Sequence, residues 1–423
     1  MSHAEHRAET VAVPEQAGRG EIPRRLPRYR DVPRQRGRVV LMVLVALTAA
    51  AGVVAAVLLA VLNAGDGDGA VLSIVLALIP LPLIWFCYWW LDRYEPEPRR
   101  YKIAAFVWGG VVAVGFALAV QLPLVELTDL DDAQMATFVA PLTEEPAKGL
   151  FLLLTFLRWR RIIDGFLDGL IVAGLVGVGF AFTENIGYYA ISYLGDLDPT
   201  VSGAEGATST FVARGILSPF AHSLFLSMFG IALGLAVMVR SRTLKIALGV
   251  LGMAVSIGLH MLWNAVPSYW IDVDAVSSDV VQLSDVAPFL LVYLGMGALL
   301  FAVGTLAIIV RVQQVRTLER SLSALAERGW IHPAEIPYLS RFAYRRAARR
   351  HAKQEHGRTA GKVVGRYQRL ATEVAFLHDA VMAGRTKPHG VERTYALLDA
   401  MYALRPALRL PPPMAPLLHQ YRG

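Results

Sequence analysis

Pro141-Leu142-Thr143-Glu144-Glu145-Pro146-Ala147-Lys148 sets two adjacent carboxylates and an ammonium inside a run of membrane length, with Phe138–Ala140 before it and Leu150–Leu157 after it. A single charge near the bilayer centre costs roughly 2.5–3.5 kcal/mol on insertion scales. Three ionisable groups in one such run imply chemistry or transport at that depth. Pro146 cannot donate an N–H and crowds the carbonyl of Leu142, so a kink and a widened cavity are expected there.

The surroundings of that stretch fix the fold class. Hydrophobic residues make up 55% of the chain and the mean hydropathy is +0.45. Many apolar runs reach the roughly 20 residues that a helix needs to cross a bilayer, and the alternating ten-residue pattern of a membrane β-barrel is absent. The chain therefore reads as an all-α polytopic membrane protein. Eight spans are expected, near 39–62, 70–91, 103–125, 135–157, 166–192, 211–239, 246–266 and 287–310. Lys and Arg mark cytoplasmic loops. The loops at 63–69, 127–134, 193–210 and 267–286 hold neither, and carry Asp66, Asp129, Asp198 and Asp279 among their acids. The opposite loops carry Arg99, Arg100 and Lys102, then Arg158, Arg160 and Arg161, then Arg240, Arg242 and Lys245. The alternation holds at every turn, so both termini are expected in the cytoplasm and the acidic loops outside the cell membrane.

Three segments follow: a disordered Arg/Pro-rich leader at 1–38, a transmembrane domain at 39–310, and a basic helical tail at 311–423. The first apolar run is of span length behind a long basic leader, which favours an uncleaved anchor over a signal peptide. Cys87 is the only cysteine, so no intrachain disulfide forms. Tail residues such as Tyr367, Leu370, Val374 and Val381 recur at helical spacing. Its Arg345, Arg346, Arg349, Arg350 and Lys353 read as a solvated face near anionic headgroups rather than a docking surface, and no nucleic acid is expected. The runs 165–187 and 230–258 are Gly/Ala-rich, which permits close helix packing.

Polar residues recur at membrane depth in four spans. The fourth has Glu144, Glu145 and Lys148; the fifth Phe180, Thr183, Glu184 and Asn185; the sixth Arg214, Ser218 and His222; the seventh His260 and Asn264. Counted from the exterior ends at about 1.5 Å per residue, Glu144, Glu184, His222 and His260 fall within roughly 8 Å of depth in the outer half of the bilayer. The pairs Glu144/Lys148, Phe180/Glu184 and His260/Asn264 are each i, i+4 and share a helix face.

Peptide hydrolysis fits these groups. A carboxylate in an apolar cavity can act as general base toward water, and donors such as His260 and Asn264 can face a developing oxyanion. Glu184 could hold the water or a protonated histidine. No Ser or Cys has a base beside it. A zinc site from His222, His260 and a Glu is the alternative to a metal-free one, although H-E-x-x-H is absent. A proton-coupled transporter or channel would use similar residues. The nearly apolar inner halves of spans five and seven, 169–179 and 246–256, speak instead for a cavity closed to the cytoplasm.

Glu144-Glu145-x-x-Lys148, Phe180-x-x-x-Glu184-Asn185, His222 and His260-x-x-x-Asn264 together resemble the motif set of the PrsW-type intramembrane proteases, relatives of the CAAX prenyl endopeptidases and the CPBP bacteriocin-processing group. Asp92-Arg93-Tyr94-Glu95-Pro96-Glu97-Pro98 also resembles the PrsW pattern. The resemblance covers about 80–310. In the CAAX group the second motif ends in histidine where this chain has Glu184. The resemblance implies a glutamate-dependent endopeptidase without obligatory metal: Glu144 as base, Glu145 supporting it, His260 and Asn264 at the oxyanion. Its substrate would be a single-pass membrane protein, with membrane-bound anti-sigma factors the implied class.

Overall fold

A computed structural model describes residues 67–94, 97–158, 162–163, 165–196, 200–270, 283–384 and 390–411. The leader and the first expected span, 39–62, lie outside them. The described residues form helices and no strands. The chain divides into two compact units, Gln35–Arg311 and one containing Val312–Gly423.

Among the described residues, six helices are long and apolar enough to cross a membrane. In chain order, and counting one more helix, they are α1 (Gly67–Leu91), α2 (Arg99–Leu127), α3 (Ala140–Arg158), α4 (Phe166–Leu194), the pair α5 (Gly203–Phe211) and α6 (Ala221–Met238), α7 (Arg242–Ala265) and α8 (Leu283–Glu327). Eight spans were expected from the sequence. The helix outside the six is α3, whose two glutamates and lysine dilute its apolar run. These helices make the protein an integral, multi-pass membrane protein.

Burial ranks the spans. α4 is 72% buried along its most apolar stretch and the Gly203–Met238 span 67%, against 17% for α7 and for the α8 stretch. α4 is thus the central post. Its Leu170, Ile171, Val172, Leu175 and Val176 pack with Leu152 of α3, Leu226 and Phe229 of α6 and Ile84 and Tyr88 of α1. Glycines allow the approach: a Cβ on Gly169 would lie 2.0 Å from the Gly230 carbonyl oxygen, and one on Gly179 1.8 Å from that of Phe106. Small residues at crossing points are how helices associate when lipid is as apolar as the side chains.

α3 continues as helix through Pro146, with Glu145 and Ala147–Gly149 buried on either side. One local expectation changes. The sixth span, expected as one helix, is interrupted instead. A π-helical turn over Val212–Leu217 ends at Ser218 (φ −129°, ψ 40°), and α6 restarts at Ala221. Further π turns lie at Trp108–Ala113, Met135–Val139 and Val266–Trp270. Such turns concentrate at functional sites because they re-aim side chains within a helix.

At the start of α2, buried Asp92 pairs with Lys102 and accepts the Glu97 N–H at 3.2 Å. Burial pushes the Asp92 carboxyl up, and Lys102 pulls against it.

In the second unit, Phe342–Met382 is two helices meeting at Gly357 (φ 84°). Tyr338, Ala348, Ala352, Ala360 and Val364 form one core, and Tyr367, Leu370 and Val374 are buried as their spacing implied. Arg345 departs from the expected exposed basic face. It is buried, and its guanidinium donates to the Leu339 carbonyl at 2.9 Å, Thr372 Oγ1 at 2.8 Å and the Gln368 carbonyl at 3.3 Å. Neutral oxygens solvate that charge in place of water.

Candidate active site

α3 presents Glu144, Glu145 and Lys148 on one inward face, all buried. The Lys148 ammonium donates to Glu145 Oε1 at 2.7 Å and Glu144 Oε2 at 3.3 Å, lies 3.3 Å from His222 Nδ1, and sits 3.5 Å above the Phe180 ring. Glu145 is fully buried and fully engaged. Its Oε1 also meets His260 Nδ1 at 3.0 Å, and its Oε2 accepts from Ser256 Oγ at 2.7 Å.

α4, the broken span and α7 close the cluster. Glu184 Oε2 meets His222 Nε2 at 2.7 Å and takes an Arg214 Nη2 hydrogen bond at 2.5 Å. Arg214 Nε donates to Asn185 Oδ1 at 2.7 Å, and the guanidinium lies over the Tyr188 ring. The His222 and His260 ring centroids are 5.1 Å apart and perpendicular. His260 Nε2 lies 4.0 Å from Glu144 Oε2. Asn264 is one turn away and donates Nδ2 to the Ala136 carbonyl at 2.8 Å, in the Met135–Val139 π turn.

The nine residues singled out from the sequence thus fall into one connected site. Glu144, Glu145, Lys148, Phe180, Glu184, His222 and His260 form a continuous contact network; Asn185 joins it through Arg214, and Asn264 borders it. Each imidazole has a carboxylate at one nitrogen: Glu145 at His260 Nδ1, Glu184 at His222 Nε2. Their partners assign the protons to those nitrogens. Three carboxylates face two fixed cations, Lys148 and Arg214, so with neutral imidazoles one negative charge remains. A proton on a carboxylate or a bound cation offsets it.

Residues not placed in the site from the sequence are Arg214, Ser256 and Gln121. Arg214 is one of the polar residues at membrane depth in the sixth span, and it bridges Glu184 and Asn185. Ser256 stands one turn before His260 on the same face of α7, a spacing that could have marked it. Gln121 Nε2 reaches Glu144 Oε1 at 3.4 Å and Thr143 Oγ1 at 2.8 Å. It is a lone amide in an apolar span, with no spacing to flag it.

The donor set bears on the metal question. One ligand atom each from Glu144, His222 and His260 lie within 4.8 Å of one another, all buried. Two imidazoles and a carboxylate are a zinc donor set that leaves a fourth position open, and a carboxylate behind each imidazole is how metal-bound histidines are oriented. The residues fit a divalent ion in kind. Lys148 contacts two of the three donors, so ion and ammonium share them. Lys148→Met is expected to tighten Zn²⁺ binding by the full-length protein about tenfold or more, one removed like charge being worth at least about 1.4 kcal/mol. Competition against a fluorescent chelator measures it; equal or weaker binding would refute the sharing.

The architecture and this buried carboxylate–imidazole cluster define a polytopic membrane protein with a hydrolytic type of site. Residues 97–296 match the family model described as PrsW family intramembrane metalloprotease. That match makes the protein an intramembrane protease, a hydrolase. It supports the PrsW resemblance read from the motifs and does not extend to the CAAX and CPBP groups. With the donor set, it favours a metal over the metal-free site first expected. No curated protein and no solved structure matches the chain.

Proposed function

We propose that the protein cleaves a single-pass membrane protein near the exterior boundary of the plasma membrane, with both of its own termini in the cytoplasm. The observation that carries this reading is the state of Glu144. Glu145 and Glu184 each hold partners at 2.7 Å or closer, whereas the contacts of Glu144 are 3.3 and 3.4 Å. Of the three carboxylates, Glu144 is the one left to take a proton.

In this reading Glu144 accepts the proton of the attacking water and passes it to the departing amine. Glu145 orients His260, while Glu184 and Arg214 fix His222. The Asn264 amide keeps a second N–H for the oxyanion. A divalent ion held by His222, His260 and one carboxylate oxygen of Glu144 would supply Lewis-acid polarisation of the scissile carbonyl and would leave the second oxygen of Glu144 for the proton. The roles given to Glu145, Glu184, Arg214 and Asn264 are the same with or without the ion. The family resemblance offers a membrane-bound anti-sigma factor as the substrate, and motif order supports kinship with the CAAX and CPBP enzymes.

Co-reconstitution with a tagged single-pass reporter tests the reading. Fragment masses should place the cut within a few residues of the exterior boundary; no fragment, or a cytoplasmic-side cut, would refute it. Reporter fusions after Asp129 and Arg242 should read exterior and interior respectively, and a reversed signal at either would overturn the assigned sidedness.

A further inference from the structure

A cavity of ≈ 580 Å³ opens beside the cluster, with His222 and Asn264 in its wall. Its wall is mixed. Asn185, Thr210 and Ser218 add polar groups to those two, and Trp263 of α7 with Phe289 and Tyr293 of α8 form an aromatic patch. Five alanines, Ala133, Ala136, Ala181, Ala213 and Ala221, also line it and leave it wide.

A chain of ring contacts links this patch to the cluster. Phe225 stacks on His260 with centroids 5.0 Å apart and lies 6.5 Å from Trp263; Trp263 is 6.3 Å from Tyr293, and Tyr293 is 5.7 Å from Phe289. Tyr293 is pinned by donating its hydroxyl to the Leu217 carbonyl at 2.8 Å, at the break in the sixth span. Trp263 is adjacent in sequence to Asn264, so the aromatic wall and the polar group belong to one turn of α7.

Charge in the lining is sparse. Arg214 is engaged by Glu184 and Asn185, and Asp132 is the first residue of a short helix. An ionic side chain placed against the rings would lose its hydration with no partner there. The volume falls in the range of sites that grip organic ligands through an apolar wall and a few polar groups.

We propose that this cavity is the specificity subsite of the protease, and that Trp263, Phe289 and Tyr293 receive a Leu- or Phe-sized apolar side chain flanking the bond that is cut. The inference rests on the proteolytic reading above. A segment leaving the hydrocarbon supplies such residues, and the aromatic patch would seat one while the adjacent Asn264 holds the neighbouring carbonyl.

The test uses the full-length protein and single-pass reporter peptides whose six residues at the exterior boundary are randomised, with product ends read by mass spectrometry. Phe and Leu should be enriched beside the cut, and Asp and Lys depleted. Reporters fixed at Phe or Ala beside the mapped bond then test the wall. Phe289→Ala should lower kcat/KM for the Phe reporter about tenfold or more and leave the Ala reporter unchanged. Val292→Trp, which fills the cavity from α8, should act in the same direction. An equal loss on both reporters would mean a structural role only and would overturn the subsite, as would cleavage with no preference in wild type. Absence of any Glu144-dependent fragment would remove the proteolytic reading, and the subsite with it.

Discussion

Glu144→Gln is expected to slow peptide cleavage about 10²–10⁴-fold, the usual cost of a lost general base, in a protein that still folds in the membrane. Glutamine has the same shape and keeps one carbonyl, for either Lys148 or Gln121, so the contact given up is a long one of 3.3 or 3.4 Å. Glu144 is also not fully sealed, at 6% exposure against 0% for Glu145. Fragment yield from the reconstituted reporter gives the rate, and elution as a single species from a sizing column reports the fold. Wild-type cleavage by a well-folded variant would remove Glu144 as the base. Loss of folding together with activity would make it a structural partner instead.

Its neighbour should behave in the opposite way. Glu145→Gln is expected to destabilise the protein by about 3–5 kcal/mol, the cost of removing one member of a buried ion pair. Glu145 serves Lys148, His260 and Ser256 at once, at 2.7, 3.0 and 2.7 Å. An amide cannot accept with both ends, so either the Ser256 hydroxyl or the cation side loses its acceptor. Lys148 is fully buried, and with the amide carbonyl turned to Ser256 it would keep only the longer contacts to Glu144 Oε2 and His222 Nδ1, each 3.3 Å, and the Phe180 ring. The midpoint of denaturation in detergent, compared with Glu144→Gln, separates the two glutamates. The double variant Glu145→Gln/Lys148→Met should recover part of the loss, because the stranded charge is gone. A Glu145→Gln protein as stable as wild type would show that the pair does not hold the site together.

The contrast between these glutamates was not legible in the sequence, where they are adjacent and alike. Which one faces Ser256 depends on how α3 is rotated against α7, and rotation is set by packing across more than a hundred residues. Membership of the site was far more legible. Charge at membrane depth is so costly that Glu144, Glu145, Lys148, Glu184, His222 and His260 stand out one by one, and the Lys/Arg alternation gives the direction of each span, hence their common depth. Arg214 and Gln121 are engaged by partners on other spans, and nothing in their own neighbourhood signals which. Helices were legible wherever apolar runs were long. The break at Ser218 was not, because Leu217-Ser218-Pro219-Phe220 reads as a tolerable interruption in an apolar stretch.

That break bears on a supply problem. A hydrolase in lipid consumes water where lipid excludes it, so each turnover needs a route and a resting place for the next molecule. Irregular backbone at membrane depth persists only where it is covered by protein or lines a wet space. Ser218, Pro219 and Ala221 line the cavity, and the first turn of α6, which bears His222, carries N–H groups that no helical carbonyl can satisfy. Side chains take up the Ala213 and Leu217 carbonyls at the break, so what it offers to water is the start of α6, beside the imidazole that Glu184 holds. On this view Pro219 is a wick: it keeps the span from healing into a seamless helix that would starve the reaction of its second substrate.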